Sequence, residues 1–534
     1  MADSISVRRR LAEARSIVVL VLFLLPALEH SIPDPVSWEE AETLVLARQF
    51  ADPGFIQGDW FLDLPQPVRR PYQILIYPLV ELFALPTVSL LARLSGYLFV
   101  AAALGLIAAR LGLHAGHAAV VMGSFLWLGQ SLAPGEEWIF RRAESKVFGY
   151  GLTFFALHAL LARRLALSGF LAGLAATMHV IVGIWGTLAL GLAALSRRIG
   201  SWRARLGAAV AWCAGGAGAI YFALSRLGEP AASAGFDADR IYVAFRMPHH
   251  NDPSFWDWPG GEWLPPVVAI VALAALALRA RSKEQPDAAT VAQFALWTLL
   301  PYAAGLLSLP FDASVKLLHL YPFRVASTVV LLFGLMLAVP ALFDWTIRRR
   351  ARPWVAAACA AFFAANAGAE FADEVGDRLD APAGGVWRTE GRTQDLRTTC
   401  EWIRANTAPD ALLISSPFVD TLLYHCRRPV AVTFRMAPAS AAAMEEWYRR
   451  ITAFNGGEPP QGRGYRAARE VDRRFRRLST EQYRGLAREY GGDYLVVRKG
   501  RPVDLPLLFR EGSWAVYAFS DAEKAAGGFT TSGP

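Results

Sequence analysis

Runs of apolar residues, each near the length of a membrane crossing, alternate with short polar stretches from the N-terminus to about residue 370. A helix needs about 20 apolar residues to cross a hydrocarbon core. Runs of that order occupy 12–28, 72–92, 94–112, 117–133, 148–162, 169–195, 206–225, 265–279, 290–310, 322–344 and 353–370. The pattern predicts an α-helical polytopic membrane protein with about 10–12 membrane segments over residues 1–370. From Phe371 it gives way to short mixed elements, which predict a soluble C-terminal α/β domain over 371–534. Leu396–Asn406, Met444–Phe454 and Thr480–Tyr490 have helical spacing. Ala411–Ser415, Pro429–Phe434, Asp493–Arg498 and Trp514–Phe519 are strand-like. Strands alternating with helices predict a small mixed or parallel sheet. The basic run Arg469–Arg477 reads as a solvated helix face, with contact to anionic headgroups or an acidic glycan as the alternative.

Composition agrees with this division. The 534 residues are 54% hydrophobic and 19% charged, below the quarter usual for soluble domains. Net charge is +8. In a membrane protein such a surplus reflects Arg retained in cytoplasmic loops, so it does not indicate a nucleic-acid partner. The run Ile17–Leu28 after Arg8-Arg9-Arg10 resembles a signal peptide. Leu28-Glu29-His30 offers no small-residue cleavage site, so it reads as an uncleaved first helix. Cys213 and Cys359 lie in apolar runs. Cys400 and Cys426 would pair if the C-terminal domain is extracytoplasmic, and the spacing leaves that open.

Basic clusters assign sides. Arg8–Arg10, Arg163-Arg164, Arg197-Arg198, Arg279 to Lys283 and Arg348–Arg350 mark cytoplasmic ends. The run 169–195 carries basic pairs on both flanks, which one crossing cannot satisfy. With Gly183 and Gly186 midway, it reads as a broken hairpin that enters and returns. The run 72–92, interrupted by Pro78 and Pro86, reads as dipping in from outside. Arg110 then falls inside. The loops 29–71, 134–147, 227–264 and 311–321 fall outside with the C-terminal domain. The location this predicts is a bacterial cytoplasmic (inner) membrane.

The first of these loops holds the densest acidic cluster. Trp38–Phe50 is predicted to form an amphipathic helix lying in the membrane interface, with Leu44, Ala47 and Phe50 on its apolar face. Glu39, Glu40 and Glu42 stand in its first turn, where carboxylates complement the helix dipole. The dipole accounts for one or two carboxylates, not for three with Asp59 and Asp63 following.

This loop resembles the first extracytoplasmic loop of GT-C glycosyltransferases, the polyprenyl-phosphate-sugar-dependent group among them. Their loop segments are of the type DExRYAxxAxxM…GDW. The matching residues here are Glu39-Glu40-Ala41-Glu42, Ala47-Arg48-Gln49-Phe50 and Gly58-Asp59-Trp60. Glu39 replaces the family's leading Asp, and Glu42-Thr43 replaces its Arg-Tyr pair. The resemblance extends to the plan of many helices followed by an extracytoplasmic α/β domain. It implies transfer of sugar from a polyprenyl-phosphate donor to a glycan or lipid acceptor. Such transfer needs a carboxylate base near the acceptor hydroxyl. It also needs positive charge, from Arg, Lys or a divalent cation such as Mg or Mn, at the leaving phosphate. Glu39 is the base candidate, with Glu40 as its substitute.

Three further clusters bear on function. The second outside loop alternates Glu136, Glu137, Arg141, Arg142, Glu144 and Lys146. It reads equally as a salt-bridged turn and as a second acidic site carried by Glu137 and Glu144. His249, His250 and Asp252 are weak metal-ligand candidates, since adjacent histidines rarely share one ion. Arg324 and Lys316, which precede or open the tenth segment, are placed to hold a lipid phosphate, with Arg preferred for its bidentate geometry. His179, within an apolar run, is expected to face the bundle and be hydrogen-bonded. No Walker A loop, HExxH, GxSxG or dinucleotide fingerprint is present, which argues against ATP-driven transport within this chain. The other readings are a secondary transporter, favoured by the broken run at 169–195, and a non-catalytic membrane scaffold whose C-terminal domain binds a partner.

Overall fold

The computed structural model of the protein describes residues 2–31, 38–131, 137–256, 264–311, 314–347, 391–498 and 502–519. The apolar run at 353–370 lies outside the described residues. The main elements are α1 (Ala2–Ser31), α2 (Trp38–Ala51), α3 (Arg70–Leu82), α4 (Leu85–Arg110), α5 (Ala115–Trp127), α6 (Ser145–Leu161), α7 (Leu165–Met178) and α8 (Val180–Ser196). There follow α9 (Trp202–Gly215), α10 (Ala217–Ser225), α11 (Leu264–Ser282), α12 (Pro286–Trp297), α13 (Leu299–Ser308) and α14 (Arg324–Ile347). The C-terminal part holds α15 (Gly391–Asn406), β1 (Leu413–Ser415), α16 (Leu422–Cys426), α17 (Ala441–Phe454), α18 (Tyr465–Phe475), α19 (Thr480–Tyr490), β2 (Tyr494–Arg498), β3 (Leu507–Glu511) and β4 (Trp514–Ala518). The chain forms two compact units. A helical unit comprises Met1–Pro35, Ser89–Leu227 and His249–Trp387; an α/β unit comprises Val36–Val88, Gly228–Pro248 and Arg388–Pro534.

Among the described residues of the helical unit, three stretches are long and apolar enough to cross a membrane: Leu85–Arg110, Pro286–Ser308 and Arg324–Phe343. A fourth is Trp202–Gly215 with Ala217–Gly228, a pair bent by 62°. The helices α5 to α8 are apolar but only 13–17 residues long. At 1.5 Å per residue they are short of a full hydrocarbon core. The run 72–92 does not form one segment. Phe83 is extended between α3 and α4, which separates a 13-residue helix from a 26-residue one. The break in 169–195 falls at His179 rather than at the glycines. His179 leaves the helical region, and its Nδ1 accepts from Val182 N at 3.3 Å, capping α8. The glycines serve contact instead. Gly169 and Gly173 form a GxxxG face on α7 that packs on α9. A Cβ on Gly173 would stand 2.3 Å from Trp212 O, and one on Gly169 2.1 Å from Ala208 O. Small residues of this kind let two helix backbones approach closely enough for dense van der Waals packing.

The α/β unit is built on a mixed four-stranded sheet of order β1-β2-β4-β3. The pair β1–β2 is parallel; β2–β4 and β3–β4 are antiparallel. Residues 429–434 do not form a strand: Val430 makes a single bridge to Leu413. The strand β3 was not expected, because its alternation is weak and all five residues are at least partly exposed. The basic run is the exposed side of α18, whose Ala467, Ala468, Val471 and Phe475 are buried.

The first loop belongs to this unit's core. Val45, Leu46, Phe61 and Leu62 pack in one cluster with Leu396, Cys400, Ile403, Val496 and Val516. The helix α2 is therefore not an interfacial helix. Glu40, Ala41, Glu42 and Leu44 to Ala47 are all buried. Arg48 Nη1 donates to Val80 O at 2.7 Å and Gln73 Nε2 to Leu46 O at 3.3 Å, fastening α3 onto it. The amphipathic helix is α3. It buries Tyr72, Gln73, Ile76 and Val80 and exposes Ile74, Leu75 and Leu82.

Two outcomes follow. Gly173→Leu should destabilise the protein by about 3 kcal/mol or more, because the overpacked atom meets backbone. The thermal midpoint in detergent checks it, with Gly207→Leu, where a Cβ meets nothing within 4 Å, as the unaffected control. A fragment of residues 388–534 should lack a cooperative unfolding transition, since it loses Val45, Leu46, Phe61 and Leu62. Each fully buried side chain of this kind contributes roughly 1.5–3 kcal/mol.

Candidate functional site

Three helices of the helical unit begin near one buried carboxylate. Glu144 is the N-cap of α6, His179 that of α8, and Arg324 opens α14. The first turn of a helix presents N–H groups without carbonyl partners and a partial positive charge, so it favours an anion. The sequence adds full charges there: Lys146 is the second residue of α6 and Arg324 the first of α14. Glu137 is the anion. Its Oε2 lies 2.7 Å from Arg324 Nε as an ion-pair contact, and its Oε1 accepts a hydrogen bond from Arg324 Nη2 at 3.3 Å. Its Oε1 also accepts from Lys146 Nζ at 2.8 Å and from Trp138 N at 2.9 Å. The Glu137 side chain is 1% exposed and that of Lys146 3%.

Burial alone would push the Glu137 carboxyl up; the Arg324 and Lys146 charges overturn that and hold it below its usual range. The Lys146 ammonium sits 3.3 Å from the Trp138 ring centroid, and the Arg324 guanidinium lies over Tyr321 at 5.1 Å. Glu144 Oε2 is 3.8 Å from Lys146 Nζ on the partly exposed side. The Tyr150 hydroxyl is buried beside the cluster, within electrostatic range of Glu137 and Arg324, and has no hydrogen-bond partner among the described residues.

The structure thus brings together Glu137, Glu144 and Arg324 from the sequence candidates. Lys316 is exposed on the short helix Ser314–Leu318 and takes no part in the Glu137 ion pairs. The second cation is Lys146 instead. His179 is half-buried, and its ring caps α8. The His249 and His250 rings lie 4.2 Å apart, tilted by 47° to each other. Asp252 Oδ1 accepts from Ser254 N at 2.9 Å and Ser254 Oγ at 2.6 Å, closing a turn. Among the described residues, no three His, Cys, Asp or Glu side chains form a group that could hold a metal ion. His249, His250 and Asp252 therefore do not make a ligand set.

Sequence reasoning missed Lys146 as a site residue, and it missed Tyr150. The available signal was a lysine two residues inside an apolar helix, which has to be neutralised locally.

In the α/β unit, the acidic first turn of α2 is internal. Glu40 is fully buried, and the side chain of Glu39 lies outside the described residues. Glu42 is paired with Arg69 and with Arg435, whose Nε is 3.5 Å from Oε2. Arg246 Nη2 donates to Arg435 O at 2.9 Å. Burial pushes Asp420 up to about 7, although Arg435 and Arg246 pull the other way. Arg69, Arg246, Asp420 and Arg435 come from distant segments, which no local pattern could link to Glu42.

Asp59 of the Gly58-Asp59-Trp60 motif is a clasp within this unit. Its Oδ1 accepts from Phe61 N and Leu62 N, and its Oδ2 from Val430 N, each at 3.0 Å. Burial pushes its carboxyl up to about 6 despite these donors. Cys400 and Cys426 are joined in a disulfide between α15 and α16.

A family model described as "Domain of unknown function (DUF6798)" matches residues 394–454. The match covers the disulfide, Asp420 and Arg435. No curated protein matches the chain.

Asp59→Ala should leave three buried N–H groups without acceptors. Each orphaned group costs roughly 1–3 kcal/mol. The expected result is a lower thermal midpoint and faster reduction of the Cys400–Cys426 bond by dithiothreitol, with Asp59→Asn intermediate.

Proposed function

We propose that this chain is a membrane glycosyltransferase of the GT-C type. It would move a sugar from a polyprenyl-phosphate donor to a glycan or lipid acceptor at the outer face of a bacterial cytoplasmic membrane. The observation that carries the reading is the anion-binding arrangement of Arg324 and Lys146 at two helix starts, with a third start capped by His179. Leaving-group charge in such transfer grows on phosphate, and fixed cations in a water-poor site stabilise it at no reorganisation cost. The acceptor oxygen bonds to the anomeric carbon, the anomeric carbon–phosphate oxygen bond breaks, and the hydroxyl proton passes to a carboxylate. The GT-C resemblance assigns that base to Glu39, with Glu40 beside it in α2. A divalent cation, Mg or Mn, is an expectation of the resemblance; the described residues offer it no ligand set, and no step here depends on it.

The Cys400–Cys426 bond supports an extracytoplasmic α/β unit, because disulfides persist in oxidising compartments. A secondary transporter is the second reading. It is favoured by the break at His179, since discontinuous helices line transport sites.

The test is sugar transfer by the purified chain in proteoliposomes supplied with polyprenyl-phosphate sugars. Wild type is expected to transfer, Glu39→Gln or Glu40→Gln to abolish transfer, and Arg324→Ala to lower kcat by about 10²–10³. Full activity in both glutamine variants removes the base assignment. Solute flux without sugar transfer moves the function to transport.

A further inference from the structure

Glu137 is held more completely than a loop carboxylate needs to be. Both of its oxygens are engaged by Arg324, one also by Lys146 and the Trp138 backbone N–H, and its side chain is 1% exposed. Those same groups, two cations at two helix starts, are what a phosphate would use. The Tyr150 hydroxyl adds, next to the cluster, a buried donor with no partner among the described residues. A carboxylate and a phosphodiester each offer two terminal oxygens; a phosphate monoester, the product, has a third to spare for another donor. The site is better furnished than its resident requires.

We infer that Glu137 is an internal stand-in for phosphate, which the donor displaces on binding and which returns to expel the product. The inference rests on the donor reading above and adds a release step to it. Charge makes the exchange balanced in one direction and useful in the other. A polyprenyl phosphosugar carries one negative charge on its phosphodiester, the same as the carboxylate it replaces, so entry leaves the charge of the cluster unchanged. After transfer the lipid carries a phosphate monoester, with about −1.5 to −2 charge near pH 7. That product holds Arg324 and Lys146 more tightly than the donor did. A tethered carboxylate competing for the same cations shortens its stay. The expected role is thus opposite to that of a catalytic acid, whose loss would weaken turnover at every step.

The experiment measures binding of a polyprenyl phosphate to the full-length protein in nanodiscs, with inorganic phosphate as a parallel ligand. Glu137→Gln should bind the polyprenyl phosphate at least tenfold tighter than wild type, and Arg324→Ala at least tenfold weaker. Multiple-turnover transfer by Glu137→Gln should slow, with dissociation of polyprenyl phosphate at least tenfold slower than in wild type. Should Glu137→Gln fail to fold with two buried cations exposed to each other, Glu137→Gln/Lys146→Met keeps Arg324 alone. Polyprenyl phosphate should then bind it no more weakly than wild type.

Equal or weaker lipid binding in Glu137→Gln, with Arg324→Ala still impaired, overturns the exchange and leaves the donor site standing. Binding indifferent to Arg324 overturns both. Inorganic phosphate binding with the same dependence on Glu137 and Arg324, and no gain from the lipid chain, overturns the lipid assignment.

Discussion

A helix that starts inside an apolar bundle leaves its first N–H groups without carbonyls, and water is not there to take them. The helical unit has three such starts near each other, at Ser145, Val180 and Arg324. One is relieved by the His179 ring. The other two carry Lys146 and Arg324, so the local field is strongly positive, and the Glu137 carboxylate, with Glu144 beside Lys146, closes it. Removing one partner from such a buried set costs about 3–5 kcal/mol. The cluster therefore constrains the segments that supply it: the loop bearing Glu137, the entry of α6 and the entry of α14. Tyr321, with φ 50°, makes the turn that delivers Arg324 to its place.

Much of this was open to reading in the chain. Apolar runs located the helices of the bundle because length and hydropathy depend on composition alone. Glu137, Glu144 and Arg324 stood out because charge beside hydrocarbon is costly wherever it occurs. Lys146 did not, because its meaning depends on which helix start Glu137 faces. The break in 169–195 was anticipated from basic flanks, yet its position was not. Glycine reads as a breaker in isolation, whereas here Gly169, Gly173 and Gly183 are where backbones touch, and a histidine that caps its own neighbour makes the break.

The α/β unit shows a different limit. Helices at 396–406, 444–454 and 480–490 and strands at 413–415, 494–498 and 514–518 follow from local periodicity. The role of α2 does not. Its apolar residues lie all around it, because one side meets α3 and the other the C-terminal core. Amphipathicity reports burial on one face only, so a helix covered on several sides is misread as lying on a surface. Asp59 carries the same lesson. Within Gly58-Asp59-Trp60 it has the look of a chemical group, but its oxygens are spent on the N–H groups of Phe61, Leu62 and Val430.

That last bond has a consequence for how the protein is made. Asp59 and Val430 are 371 residues apart. At a synthesis rate of about 5–20 residues per second, roughly 20–70 s pass between the appearance of the acceptor and that of its donor. For that interval α2 exists with Glu40, Glu42 and a full turn of apolar side chains in want of the core that will cover them. Folding of this unit cannot be sequential along the chain. Its first-made part has to wait until the strands of the C-terminal core have been made.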